Sequence, residues 1–292
     1  MKNSLKTVLL LTAISGLFLF IGHMLGGQAG MTAALVLSLV MNAGAYWFSD
    51  KIVLSMHRAV PVGPGHSSGV YETVAELCSR AALPMPKVYL LPEAAPNAFA
   101  TGRDPEHSAV AVTEGLLQIL DERELRGVLA HELAHIQNRD ILVSTIVATL
   151  ASAILYLAHM MQWFGMLGGH HRSSEGRGGI HPLALLFTIL VAPLAATLVQ
   201  AAVSRTREYM ADESGALISQ DPEALASALH KISSPEVSQF AREHSQVSAD
   251  MQPAFSHLYI VNHFSGESVM NLFSTHPPAR ERIKKLLSMK GC

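Results

Sequence analysis

His131 and His135 stand four residues apart in the string His131-Glu132-Leu133-Ala134-His135. Residues at that spacing on an α-helix share one face, about a turn from each other. Two imidazoles so placed can bind a single metal ion, and a glutamate beside the first can reach a water on that ion. A catalytic zinc site takes three protein ligands and keeps a fourth position for water, so the pair needs one more partner. Glu208, in Arg205-Thr206-Arg207-Glu208-Tyr209-Met210-Ala211-Asp212, offers the missing oxygen. Zinc held by His131, His135 and Glu208, one ion per chain, would acidify the water. Glu132 would take its proton during attack on a carbonyl and deliver it to the leaving amine. Asp212, one turn after Glu208 on the same face, suits holding an imidazole N–H, and Asn138, one turn after His135, is a second candidate for that task. Plainer readings stand beside these: Glu208 as a carboxylate paired with Arg205 or Arg207, Asp212 as a solvated charge, Asn138 as ordinary helix-end chemistry.

The elements that must bring these residues together lie far apart in the chain. Of 292 residues, 49% are hydrophobic and only 15% charged, against about a quarter charged in a soluble domain, so part of the sequence is not made for water. Four apolar stretches reach the roughly 17–25 residues that a bilayer takes. They run from about Val8 to Met24, Met31 to Phe48, Ile141 to Met161 and Leu183 to Val203. The last two carry no charge; they read as spans, or as segments that dip in from one face. Pro193 should kink the fourth. Lys2 and Lys6 before the first apolar run also fit a cleaved secretory signal, which would leave the orientation of the second span unchanged.

Positive charges near the span ends set that orientation. Lys2, Lys6, Lys51, Arg58, Arg123, Arg126, Arg139, Arg205 and Arg207 belong to one side, against Arg172 and Arg177 on the other. The first side is therefore expected in the cytoplasm. His135 and Glu208 then emerge on the same face, each roughly 8 Å beyond its span at about 1.5 Å per helical residue.

Four segments follow: an N-terminal transmembrane hairpin (1–49), a first catalytic segment with the HELAH helix (50–140), a second hairpin (141–203) and a second catalytic segment with the third ligand (204–292). In the first catalytic segment, periodicity predicts a helix over Gly69–Ala82, strands at Lys87–Leu91 and Ser108–Val112, and a short helix from Thr113 or Glu114 to Leu120. Ala95–Gly102 is small, turn-rich and able to lie as an extended edge. Asp121 with Glu124 reads as a capping box opening the helix that runs through HELAH to about Arg139. After the second hairpin come helices at Arg205–Ser219, Glu223–Ile232 and Ala279–Ser288, the last basic and amphipathic; Ser233–Ser274 is polar and of mixed character. The net charge of −2 gives no reason to expect nucleic acid as a partner. Cys78 and Cys292 make neither a disulfide framework nor a metal-ligand pair.

NAFATG, HELAHIQNRD, SRTREYMAD and STHPP, in this order around four apolar runs, resemble the HtpX family of bacterial membrane zinc metalloproteases and, more distantly, the CAAX prenyl proteases of the endoplasmic reticulum. The resemblance covers nearly the whole chain. It implies zinc ligation by His131, His135 and Glu208, Glu132 as base, and a multi-pass protein of the bacterial inner membrane with its site facing the cytoplasm. It also implies a role in degrading damaged or misassembled membrane proteins under stress. Two further stretches gain meaning from it. Asn97, Ala98, Phe99 and Ala100 look like the family's edge segment, where substrate adds as an extended strand, and His276 could donate to the oxyanion at the attacked carbonyl. Their plainer readings are a tight surface turn and a helix-capping histidine.

The fold class expected is mainly α: a four-span integral membrane protein with a cytoplasmic α+β, zincin-like (gluzincin) domain. The partners expected are the bilayer and membrane-protein or unfolded polypeptide substrates. A protease confined to one lipidated or signalling substrate is the alternative. A silent metal-binding scaffold is disfavoured by Glu132 and the open ligand position, and a transporter by the lack of an ionisable pair at mid-depth.

Overall fold

The structure is a computed structural model that describes residues 2–146, 205–244, 260 and 277–289. The fourth apolar stretch, most of the third, the stretch 245–259 and His276 lie outside the described residues.

Helix α1 (Lys2–Met56) loses helical geometry at Gly26 and at Gly27, whose φ of 57° favours glycine. Beyond that break the chain doubles back. Asn42 Nδ2 donates to Ser15 Oγ at 2.9 Å, although a straight helix would hold residues so far apart in sequence about 40 Å from each other. A Cβ at Gly30 would stand 2.2 Å from the Gly22 carbonyl oxygen, so the two arms touch backbone to backbone where glycines permit it. The break falls in the gap between the first two apolar stretches. Gly26–Met56 is long and apolar enough to cross a membrane, the one helix of that kind among the described residues. It runs eight residues past Phe48, through the polar Asp50 and Lys51.

Four strands follow in one mixed sheet: β1 (Val60–Val62), β2 (Lys87–Leu91), β3 (Ala98–Gly102) and β4 (Ser108–Thr113), in the order β1-β2-β4-β3. β2 and β4 are parallel, while β1 and β3 run antiparallel to their neighbours and form the two edges. Pro61 fits an edge strand, where a missing N–H costs no ladder bond; β1 is too short for periodicity to reveal. β4, buried throughout, reads as the continuous apolar run expected of a central strand. Phe99 pairs with Ala111, which sets β3 in register.

Helix α2 (Val70–Ala81) buries Val70, Val74, Leu77 and Cys78, the apolar positions its periodicity marks. The short α3 (Glu114–Ile119) is capped by the Thr113 hydroxyl, which accepts from Leu116 N–H. α4 (Glu122–Gln137) is the centre of the fold, packed against α2, β3, α5 (Arg205–Ser219) and α6 (Pro222–Ile232). Leu129, Leu133 and Ile136 on it are fully buried, each contributing about 1.5–3 kcal/mol by removal from water. α7 (Pro235–His244) lies in the stretch of mixed character, and α8 (Ala279–Ser288) closes the domain over α6 and α5. The chain is thus mainly helical with a small mixed sheet.

Candidate active site

The capping box that opens α4 is complete. Asp121 accepts from Glu124 N–H at 2.8 Å, and Glu124 accepts from Asp121 N–H at 3.0 Å. Glu124 also takes the Ser227 hydroxyl (2.7 Å) and the Lys231 ammonium (2.6 Å) from α6. One carboxylate therefore starts α4 and fastens it to its neighbour before the chain reaches His131.

At the other end of α4 the ligand set converges. His131 Nε2 and His135 Nε2 are 3.2 Å apart, and the Glu208 oxygens stand 3.8 and 3.7 Å from them. Tetrahedral zinc with bonds of about 2.0–2.1 Å would space its ligand atoms about 3.3 Å from one another. The three side chains could therefore close on one ion with shifts of a few tenths of an ångström. Glu208, Asp212 and Gly215 share one stripe of α5, facing α4. A Cβ at Gly215 would stand 2.9 Å from His131 N and Cα, so only glycine lets the two helices approach this closely, and that approach brings the short Asp212 to His131. Asp212 Oδ1 lies 3.0 Å from His131 Nδ1.

His135 has a different partner from the one expected. Both oxygens of Asp140 lie 3.2 Å from His135 Nδ1. Asn138 holds no imidazole: it ends α4, its backbone N–H donating to Ala134 at 2.9 Å, and its buried Nδ2 has no hydrogen-bond partner among the described residues.

Beside the ligands lies the sheet edge. Ala100 N–H donates to Glu132 Oε2 at 2.9 Å, so Glu132 touches both the ligand helix and β3. Asn97 is tied to β4: its N–H donates to the Thr113 hydroxyl (2.8 Å), and its carbonyl accepts from Thr113 N–H (2.9 Å). Its side-chain Oδ1 accepts from Ile260 N–H at 3.2 Å. Asn97, Ala98, Phe99 and Ala100 thus lie as the start of the edge strand and not as a tight turn.

A profile of Peptidase family M48 matches residues 66–290. The chain belongs to peptidase family M48. It is 53% identical to a Protease HtpX homolog of Syntrophobacter fumaroxidans over 99% of this chain and 100% of that one. It is 52% identical to a Protease HtpX homolog of Ralstonia nicotianae, over 99% and 97%. The crystal structure of S. mikatae Ste24p is 19% identical with a TM-score of 0.49, over 98% of this chain and 65% of that one. Membership makes the chain a metalloprotease, and the resemblance seen in the motifs agrees with the relatives' names.

The charges of this M48 site match a divalent metal. Glu132, Asp140, Glu208 and Asp212 are all buried, and two guanidiniums face them. Arg282, 1% exposed, donates to Asp212 at 2.9 and 2.7 Å and lies 3.6 Å from Glu208. Arg207 faces Asp140 and Glu208. Four carboxylates against two guanidiniums leave two negative charges, an arrangement that low dielectric penalises unless a cation joins it. The ring nitrogens carry the same message. Burial lowers His131, which keeps it neutral as a ligand must be. Burial also pulls His135 down, but Asp140, Glu208 and Glu132 outweigh it and push the ring up to about 10; a divalent ion would stand where that proton is held. Burial, with Glu208 beside it, pushes Glu132 up to about 7 against His135 and the Ala100 N–H, within the range a general base uses. Asp212 stays at about 2 despite burial, because Arg282 and His131 hold its charge.

Periodicity misses Arg282 and Asp140. Arg282 sits four positions before the buried Leu286, on the apolar face of a helix whose other basic residues point outward, and that placement was the available signal. Asp140 follows Arg139, whose positive φ of 56° turns the chain back, and no spacing rule marks such a turn.

Proposed function

We propose that the chain is a zinc-dependent membrane endopeptidase that hydrolyses internal peptide bonds of misfolded or damaged membrane proteins, in quality control and stress response at the bacterial inner membrane. The observation that carries the reading is the contact of Glu132 with Ala100 N–H beside the His131, His135 and Glu208 cluster. It puts a carboxylate of raised pKa between the metal ligands and a strand edge that can pair with an extended chain.

His131, His135 and Glu208 hold the ion, one per chain. When bound, zinc supplies Lewis-acid polarisation of the carbonyl and acidifies a water. Glu132 accepts the proton of the attacking water and passes it to the departing amine. Asp212 and Asp140 each take an imidazole N–H, which turns Nε2 of His131 and His135 toward the ion. Asn97, Ala98, Phe99 and Ala100 receive substrate as an added strand. His276, just before the Pro277-Pro278 start of α8, supplies the oxyanion donor. Four spans in two hairpins, 1–49 and 141–203, place segments 50–140 and 204–292 together on the cytoplasmic face.

The test compares wild type with Glu132→Gln and His135→Ala on an unfolded polypeptide. Glu132→Gln should keep zinc and lose at least ~100-fold in rate, and His135→Ala should lose zinc as well. Equal rates in all three would refute the assignment.

A further inference from the structure

β3 is fastened to the membrane hairpin at two points whose spacings agree. Near its start, the Phe99 ring packs on His57 with centroids 5.5 Å apart, and His57 Nδ1 is 2.7 Å from Glu93, both side chains buried. Just past its end, the Arg103 guanidinium lies 4.8 Å from the centre of the Trp47 ring. Trp47 to His57 is about 15 Å along a helix, and Phe99 to Arg103 is about 13 Å along a strand. Helix and strand therefore run side by side in opposite directions.

The helix carries its own depth scale. Leu35, Val36, Leu37, Leu39 and Val40 are exposed, as are Tyr46, Trp47 and Phe48 after them. The Lys51 ammonium lies 5.5 Å from the Phe48 ring centre. Aromatic rings with basic side chains mark the headgroup level of a bilayer. From the break at Gly27 to Trp47 the helix rises about 30 Å, the thickness of the hydrocarbon. Trp47, and Arg103 upon it, thus sit at the lipid surface. A second helix marks the same level independently. The helical turn at 141–146 opens the third apolar stretch, and its Thr145 hydroxyl lies 3.0 Å from Thr101 Oγ1 and accepts from Gly102 N–H at 3.3 Å.

The reacting level is fixed against that surface. Ala100 N–H meets Glu132, and Ala100 to Arg103 is about 10 Å of strand. The antiparallel pairing of β3 turns the backbone polar groups of Ala98 and Ala100 away from β4, the Ala100 N–H meeting Glu132, while Thr145 takes the Gly102 N–H and ends that edge at the lipid surface.

We propose that this arrangement is a ruler: the site cuts an extended, membrane-anchored chain about 10 Å, roughly three residues, beyond the point where it leaves the bilayer. The ruler rests on the reading that β3 pairs with substrate and Glu132 is the base.

The experiment uses the full chain with zinc in liposomes of phosphatidylethanolamine and phosphatidylglycerol. Its substrates carry one transmembrane helix followed by an unfolded tail of a uniform repeated sequence, so that every bond offers similar side chains. Mass spectrometry locates the cuts. They should cluster about two to five residues from the span, and lengthening the span by three apolar residues should carry the cluster outward with it. The double variant Trp47→Ala/Arg103→Ala should broaden the cluster, yet cut the same tail free in solution within about twofold of wild type. Cuts spread evenly along the tethered tail, a cluster beyond ten residues, or an unchanged cluster in the double variant would overturn the ruler while the free tail is still cleaved. Failure to cut either tail would instead remove the peptidase reading beneath it.

Discussion

The two sides of the site are built on opposite principles. The ligand side, where α4 meets α5 and α8, is an array of buried charges in which each carboxylate answers a ring or a guanidinium: Asp212 to His131 and Arg282, Asp140 to His135, Glu208 to both rings. The edge side is made of backbone and small neutral residues, Ala98, Ala100, Thr101 and Gly102, pinned by hydroxyls, by α1 and by the helical turn at 141–146. Removing one charge from the first leaves others unpaired in low dielectric, whereas removing the Thr101 hydroxyl from the second loses a single neutral bond. The ligand side should therefore be brittle and the edge adjustable.

The largest effect should come from Arg282→Leu. It strands Asp212 and Glu208 without their guanidinium and should cost about 3–5 kcal/mol in denaturant unfolding of the metal-free protein. A loss below about 1 kcal/mol would show that the network does not depend on it. Gly215→Ala comes next and tests the helix approach by its sign. Helix propensity alone favours alanine by about 1 kcal/mol, so an ordinary glycine would give a more stable protein with unchanged zinc affinity. Contact with the His131 backbone predicts zinc bound about tenfold more weakly, from roughly 1–3 kcal/mol of overpacking, read by competition with a chelator. The smallest should be Thr101→Val on the edge side, which loses only the bond to the Thr145 hydroxyl, about 1 kcal/mol or less, with zinc affinity untouched. An edge variant as damaging as Arg282→Leu would erase the contrast.

The same division governs what the sequence reveals. His131, Glu132 and His135 are visible because helical spacing is a local rule, and Asp212 follows from Glu208 by the same spacing. The capping box at Asp121 and Glu124, the strand at Lys87–Leu91 and helices α2, α5 and α6 obey equally local rules, and the structure places them within a residue or two of expectation. Arg282 and Asp140 escape because their partners are set by tertiary contact, one through the docking of α8 and the other through a left-handed turn at Arg139. The capping glutamate shows both levels in one residue: its bond to Asp121 is readable, and its bonds to Ser227 and Lys231 are not. At the edge, small residues mark a possible extended segment but do not say that Trp47 and Thr145 will hold it.

The most direct measurement is X-ray absorption at the zinc edge on the loaded full chain, beside His135→Ala and Glu208→Gln. The wild-type spectrum should fit two imidazole nitrogens and light oxygen donors at about 2.0–2.1 Å, without sulfur, and lose one imidazole in His135→Ala. Sulfur at about 2.3 Å, or a spectrum unchanged by both substitutions, would place the ion elsewhere and contradict the account.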